Sequence, residues 1–222
     1  MATLLAIAAH PDDECFLVGG ALADAAARGH RVGLLCLTDG QAGRTGERVA
    51  RTDLGRVRRA ELEAAAAELG IAHLFTPGLA DGGLDAYGDG RGADLVRSVA
   101  DGFGADVLLS FGPEGASGHA DHKATWRWTR AVAEGRRHYA ATFPEPAWPL
   151  VRGGTPLPVT TVVDLADLGD RKRRAFLKHQ TQRDHLDLFD RVIALFEGKE
   201  YYCRVQPPWP QDGALELSLI HI

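Results

Sequence analysis

Short apolar runs alternate along this chain with longer stretches in which apolar residues recur every three or four positions. Thr3–Ala9 reads as a buried strand and Phe16–Arg28 as an Ala-rich helix that Gly29 stops. Arg31–Leu37 is a second strand, Val57–Leu69 a helix closed by Gly70, and Ala72–Thr76 a short third strand. Asp94–Asp101 is predicted helical, Asp106–Phe111 a fourth strand, and Asp121–Glu134 the helix after it. Polar, Gly-rich segments separate these elements at Asp39–Gly55 and Pro77–Gly92, and both are read as loops. In the second half, His138–Phe143, Val159–Val163 and Tyr201–Val205 are predicted strands, and Asp170–His179 and Leu186–Phe196 predicted helices. Pro144–Pro158, with five of the eleven prolines, is read as an irregular loop. Gly213–Ile222 alternates weakly and is left as a tail.

Strands alternating with helices predict an α/β fold whose mostly parallel sheet is covered on both faces. In such sheets ligands bind beyond the carboxyl ends of the strands, so the loops that follow strands are where chemistry is expected. With 222 residues, one domain over 1–222 accounts for the whole pattern.

Composition narrows the function classes. A net charge of −5 and a pI of about 6.0 give no nucleic-acid footprint. The cluster Arg171, Lys172, Arg173 and Arg174 reads as the solvated face of a helix. Cys15, Cys36 and Cys203 are few, widely spaced and odd in number, which argues against a disulfide framework and for a reducing compartment. Met1–Ala9 is too short for a membrane span and lacks a basic start, so a cytoplasmic protein is expected. No Gly-x-Gly-x-x-Gly follows the first strand and no Gly-Lys-Ser/Thr loop is present, so dinucleotide or ATP use is unsupported.

Two clusters carry candidate chemistry. His10-Pro11-Asp12-Asp13-Glu14 follows the first strand, and Gly118-His119-Ala120-Asp121-His122 follows the fourth. Each taken alone fits helix capping, because carboxylates are favoured at helix starts and Asp121 could be the cap of the later helix. Taken together they bring His and carboxylate, the ligand types of catalytic zinc, to one edge of one sheet. His10, Asp13 and His122 form the expected metal set, with zinc as the expected ion and ferrous iron as its alternative. Asp12 is placed to take a proton from water, His119 to support charge on a carbonyl oxygen, and Asp121 to orient a histidine.

These residues resemble the LmbE-like (PIG-L) family of zinc N-deacetylases. The family's two motifs match Ala9-His10-Pro11-Asp12-Asp13-Glu14 and Gly118-His119-Ala120-Asp121-His122. The resemblance implies a Rossmann-like three-layer sandwich and hydrolysis of the N-acetyl group of N-acetylglucosamine conjugates. It implies His10, Asp13 and His122 as zinc ligands, Asp12 as general base and His119 as oxyanion stabiliser. Arg58 to Leu62, through Leu69-Gly70-Ile71, is similar to the family's R-x-x-E-L helix, which would make Arg58 a substrate contact. Lys178-His179-Gln180-Thr181-Gln182 resembles a late H-x-[ST]-Q element. Arg44 and Asp81, in predicted loops at the same edge, are further candidates for gripping hydroxyl or anionic groups. Three positions depart from the pattern. Ala120 replaces a Pro, Gln41 stands where many members carry Glu, and Ser117 stands where the mycothiol-pathway members carry Tyr.

The expected partner is a small amide or sugar substrate. Two other readings stay beside the N-deacetylase. One is an amidase that cleaves a larger amide such as a thiol S-conjugate. The other is a non-catalytic metal- or sugar-binding protein, against which Asp12 and His119 argue, since holding a metal needs neither.

Overall fold

The centre of the sheet is β1 (Thr3–Ala8), a strand with almost no polar side chain because both of its faces are covered. The structure is a computed structural model that describes residues 1–45, 49–166 and 168–208, so the tail from Gly213 to Ile222 lies outside the described residues. Among the described residues, seven strands form one sheet in the order β3-β2-β1-β4-β5-β7-β6. β2 (Arg31–Cys36), β3 (His73–Phe75), β4 (Val107–Ser110) and β5 (Arg137–Ala141) run parallel to β1. β7 (Lys199–Gln206) is antiparallel to β5 and to the edge strand β6 (Thr161–Asp164). The sheet is therefore mostly parallel, as the alternation predicts, with an antiparallel turn-back at one side.

Side chains of β1 alternate between two cores. Leu4, Ala6 and Ala8 pack with α2 (Gly19–Ala27), α3 (Leu54–Leu69), α7 (Leu168–Phe176) and α8 (Leu186–Leu195). Leu5, Ile7 and Ala9 pack with α5 (Asp89–Phe103) and α6 (Ala120–Ala131) on the opposite face. Together the helices and sheet make three layers. β1 is hydrogen-bonded to both β2 and β4, and the chain leaves the sheet in opposite senses from these neighbours, which marks the switch point where a crevice opens.

Several elements depart from the expected pattern for identifiable reasons. The predicted Phe16–Arg28 helix is two helices, α1 (Asp13–Leu17) and α2, broken at Val18. The break lets the buried Glu200 carboxylate of β7 accept the N–H groups of Gly20 and Ala21 at 2.8 Å each, at the start of α2. The predicted Pro77–Gly92 loop contains α4 (Leu84–Tyr87) and the first turn of α5, which starts five residues before the expected Asp94. Its glycines read as loop, yet a Cβ on Gly92 would lie 2.0 Å from the Trp128 ring, so a glycine is what lets α5 and α6 pack. Within Pro144–Pro158, Glu145–Leu150 forms a 3-10 helix. Lys172, read as solvated, is 1% exposed and pairs with Glu200 at 2.7 Å. No helix of the described residues is long and apolar enough to cross a membrane.

Candidate active site

The loops after β1 and β4 converge at the switch point. His10 to Asp13 lead from β1 into α1, and His119 to His122 lead from the β4 loop into α6. His10 Nδ1 lies 3.3 Å from His122 Nε2, which lies 3.3 Å from Asp13 Oδ1, and Asp13 Oδ2 lies 3.5 Å from His10 Nδ1. A tetrahedral ion with bonds of about 2.0–2.2 Å needs donor–donor edges of about 3.3–3.6 Å, so His122 Nε2 meets both His10 Nδ1 and Asp13 Oδ1 at the edge length of such a site, and one ligand atom from each of the three residues lies within 4.8 Å of the others.

The remaining atoms of the three side chains are already engaged. His122 Nδ1 donates to the Gly115 carbonyl at 3.0 Å, and its ring stacks on Phe111 with centroids 4.0 Å apart. His10 Nε2 faces the carboxylates of Asp121 and Asp81, each at 3.1 Å. Asp13 Oδ2 accepts the N–H groups of Ala9 and His10 at 3.1 and 2.7 Å, so Oδ1 is the oxygen turned to His122. These contacts fix each ring's tautomer and aim one free donor atom at a common point. Burial opposes charge on His10, but Asp121, Asp13 and Asp81 outweigh it and push its pKa up to about 12. Burial opposes charge on Asp13 too, and the two histidines hold it well below the ordinary range. The cluster thus favours positive charge at its centre, which a divalent cation would supply.

Two other donor groups among the described residues fit an ion less well. In His10, His119 and Asp121, the facing nitrogen of His10 already pairs with Asp121, and His119 Nδ1 accepts the Asp121 N–H at 3.2 Å. In Glu14, Cys15 and His179, Glu14 Oε1 and His179 Nε2 are 2.6 Å apart, too close for two ligands of one tetrahedral ion. Burial and Glu14 also push the Cys15 thiol well above its ordinary pKa, so it is a poor ligand.

Asp12 stands beside the cluster in a left-handed backbone conformation, φ 105° and ψ −26°. Such strain costs about 1–3 kcal/mol in a residue with a Cβ and persists only where the surroundings enforce it. Here Glu14 Oε2 accepts the Asp12 N–H at 2.9 Å, and the Arg58 guanidinium binds the Pro11 carbonyl and Asp12 Oδ2, the latter at 3.2 Å. Burial pushes the Asp12 pKa up to about 7, with Arg58 opposing and Asp13 adding to the rise.

His119, not Asp121, is the cap of α6. Because its Nδ1 accepts an N–H, the neutral ring carries its proton on Nε2, where it can be donated. Burial, and then His10 and His122, lower its pKa and favour that neutral ring. Asp121 instead accepts the N–H groups of Gly82 and Leu84 at 2.7 and 3.0 Å and orients His10.

His10, Asp12, Asp13, His119 and His122 all line one cavity of about 520 Å³, with Arg44 and Arg58. The three expected substrate contacts take different positions. Arg44 sits at the rim with its side chain 71% exposed. Arg58 is buried and donates from its terminal nitrogens to Pro11, Asp12 and Gly40, while its Nε finds no partner among the described residues. Asp81 turns away from the cavity wall to His10 and the Ala42 N–H. Gln41 donates to the Leu79 carbonyl and is not on the wall.

Sequence reasoning missed what supports the cluster. Glu14 and His179 form a fully buried pair; burial opposes both charges, and each holds the other ionised. Glu61 of α3 accepts both the N–H and the hydroxyl of Thr181, at 2.9 and 2.7 Å. The R-x-x-E-L helix and the late H-x-[ST]-Q element are therefore packed against each other and against the first motif. Their recurrence in the family was the only sequence signal for this.

Comparison with known proteins agrees with this arrangement. Residues 5–133, more than half the chain, match the family model PIG-L, described as GlcNAc-PI de-N-acetylase. A 1D-myo-inositol 2-acetamido-2-deoxy-alpha-D-glucopyranoside deacetylase of Mycobacterium sp. (strain KMS) is 34% identical over 154 residues, covering 59% of this chain and 50% of that protein. The chain spans about half the length of the curated relatives it matches. Among solved structures, the N,N'-diacetylchitobiose deacetylase from Pyrococcus horikoshii superposes with a TM-score of 0.73 at 22% identity, covering 90% of this chain and 82% of that one. The 4-carboxy-2-hydroxymuconate hydratase from Pseudomonas putida KT2440 shares the fold with a TM-score of 0.68 at 20% identity, covering 96% of this chain and all of that one. Both deacetylase and hydratase chemistry therefore occur on this fold, and the choice between them rests on side chains.

Proposed function

The chain belongs to the GlcNAc-PI de-N-acetylase (PIG-L) family, and from that premise we propose that it is a metal-dependent amidohydrolase that removes the acetyl group from an N-acetylglucosamine-type conjugate. The observation that carries this reading is the set of three aimed donor atoms, with His122 Nε2 3.3 Å from both His10 Nδ1 and Asp13 Oδ1, and with Asp12 and His119 on the same cavity wall.

His10 Nδ1, His122 Nε2 and Asp13 Oδ1 would hold the metal. Two imidazoles and one carboxylate suit zinc, and the same trio serves ferrous iron in other sites, so zinc is the proposed ion and iron its competitor. When bound, the cation supplies Lewis acidity and lets water act as a nucleophile near neutral pH.

The chain's own residues then carry the proton and charge steps. Asp12 takes a proton from the attacking water. His119 donates from Nε2 to the oxygen of the amide carbonyl as negative charge develops there. The proton held by Asp12 passes to the departing amine, which leaves as the free sugar amine beside acetate. Asp121 and Asp81 keep the His10 ring in the tautomer this arrangement needs. A non-catalytic binder has no use for a strained Asp12 held on the cavity wall, which favours the enzyme.

The substrate is proposed to be a small molecule, and a cytoplasmic setting is proposed from three free, buried cysteines. The test is incubation of zinc-loaded protein with a panel of N-acetylglucosamine glycosides, followed by mass spectrometry. Loss of acetyl from at least one glycoside, abolished by chelation, is expected. Equal activity in metal-free protein would overturn the mechanism.

A further inference from the structure

Helix α8 has two apolar faces, and folding explains only one. Phe189 is fully buried and Ile193 packs beside it against the main core. Leu188, Val192 and Leu195, spaced i, i+4 and i+7, line the cavity instead. Leu188 is 55% exposed and Leu195 39%; the other exposed large apolar side chain among the described residues is Met1. A surface helix needs one apolar stripe to dock, so a second stripe that the described residues leave open calls for a ligand. Phe143 and Phe196, whose rings meet edge to face at 5.8 Å, and Phe16 of α1 line the same cavity.

This wall is continuous with His119 and His122, inside the same cavity of about 520 Å³. At about 30 Å³ per water-sized group, that space is several times what a three-atom acetyl group needs. Sugar hydroxyls placed against Leu188, Val192, Leu195 and Phe196 would lose water without gaining partners, which is unfavourable.

We propose that the α8 wall is a subsite for an apolar group of the substrate, an alkyl chain or aromatic ring attached close to the scissile amide. The proposal rests on the amidohydrolase reading and adds the substrate's amphiphilic character to it. Such a group lies on either the amine or the acyl side of the amide, and the test separates them.

Two series are offered to the zinc-loaded protein. One is 2-acetamido-2-deoxyglucosides with methyl to octyl aglycones; the other is methyl glucosaminide carrying acetyl to octanoyl on nitrogen. Amine release is followed with a fluorogenic reagent. In one series kcat/KM should rise by up to about fourfold per methylene over the first carbons, the usual gain from burying a CH2. The double variant Leu188→Gln, Leu195→Gln should flatten that rise. Both positions are exposed enough for the variant to fold, which its melting temperature checks. Acetyl release with no chain-length dependence in either series, or a slope the double variant keeps, overturns the subsite and leaves the activity standing. Release from no substrate overturns the activity. In that case calorimetry decides the subsite: tighter binding of octyl than methyl glycoside, lost in the variant, supports it, and equal binding overturns it.

Discussion

Replacing Arg58 by Met removes a guanidinium that is 3% exposed and holds three acceptors at once. These are Asp12 Oδ2 at 3.2 Å, the Gly40 carbonyl at 2.9 Å and the Pro11 carbonyl. Methionine keeps an apolar stem of similar length, so packing is largely retained. Truncating one partner of a buried, hydrogen-bonded ion pair costs about 3–5 kcal/mol. For a chain of this size that lowers Tm by about 6–20 °C. The effect on chemistry is separate. Arg58 clamps the Pro11 carbonyl just before the strained residue and that residue's own carboxylate, so its loss frees Asp12 to relax. A displacement of about 1 Å costs on the order of 100-fold in rate. The expected signature is therefore a roughly 100-fold fall in kcat, a small change in KM and unchanged metal content. Arg58→Lys restores the charge without the fork and should recover part of the stability but little of the rate. Steady-state amine release, calorimetric melting and elemental analysis read these three quantities. A large rise in KM with kcat and Tm intact would show that the guanidinium serves the substrate, as the sequence resemblance implies, and would refute the positioning argument.

Four further outcomes follow from the same geometry. His119→Ala should keep its metal and lose about 10²–10³ in kcat, the cost of one oxyanion donor, and loss of metal would make it a ligand. Asp13→Ala should lose metal and activity together, whereas Asp12→Asn should keep metal by elemental analysis and lose about 10²–10⁴ in kcat; the reverse pattern would exchange their roles. Lys172→Met should destabilise by about 3–5 kcal/mol because Glu200 stays buried with its charge, and Lys172→Met with Glu200→Gln should recover part of that; an unchanged melting curve for the single variant would refute it. Burial, with Arg130 nearby, pushes the His138 pKa down to about 3, so its folded form stays neutral while the unfolded chain protonates below about 6.5. Stability should therefore fall as pH drops from about 6.5 towards 3, by up to about 1.4 kcal/mol per pH unit, and His138→Gln should remove that slope; parallel curves for the two proteins would count against it.

The sequence pattern located the parallel half of the sheet well, because strands buried on both faces read as unbroken apolar runs. Ala9 and His10 end such a run, and that boundary is what places the first motif at the strand's carboxyl end. The second half was harder for a physical reason. β7 runs antiparallel between β5 and the edge strand β6, and half-exposed residues such as Tyr201 and Arg204 blur its alternation. Helix α5 was shortened in the reading because Gly90 and Gly92 disfavour helix, although Gly92 is held there by contact with Trp128. Lys172 is read from side-chain chemistry as solvated and His179 only as part of a late recurring element, yet both are buried against the carboxylates of Glu200 and Glu14.

The acidic run after β1 shows how local propensity and function part company. Three acids at a helix start are what capping favours, and a cap would accept an N–H from the first turn. Asp12 occupies the cap position of α1 without making that bond, and its φ of 105° is far from the extended backbone of an ordinary cap. Asp13 turns back to the N–H groups of Ala9 and His10, which leaves its other oxygen facing His122. Only Glu14 supports the helix start, by accepting the Asp12 N–H, and it is itself held by His179 from the far end of the chain. Capping alone would give relaxed backbone and inward-facing bonds at all three acids. The observed arrangement instead puts the left-handed backbone at Asp12, the carboxylate proposed as general base, on the cavity wall beside the candidate metal-donor atoms, where Arg58 and the His179-held Glu14 keep that strain in place.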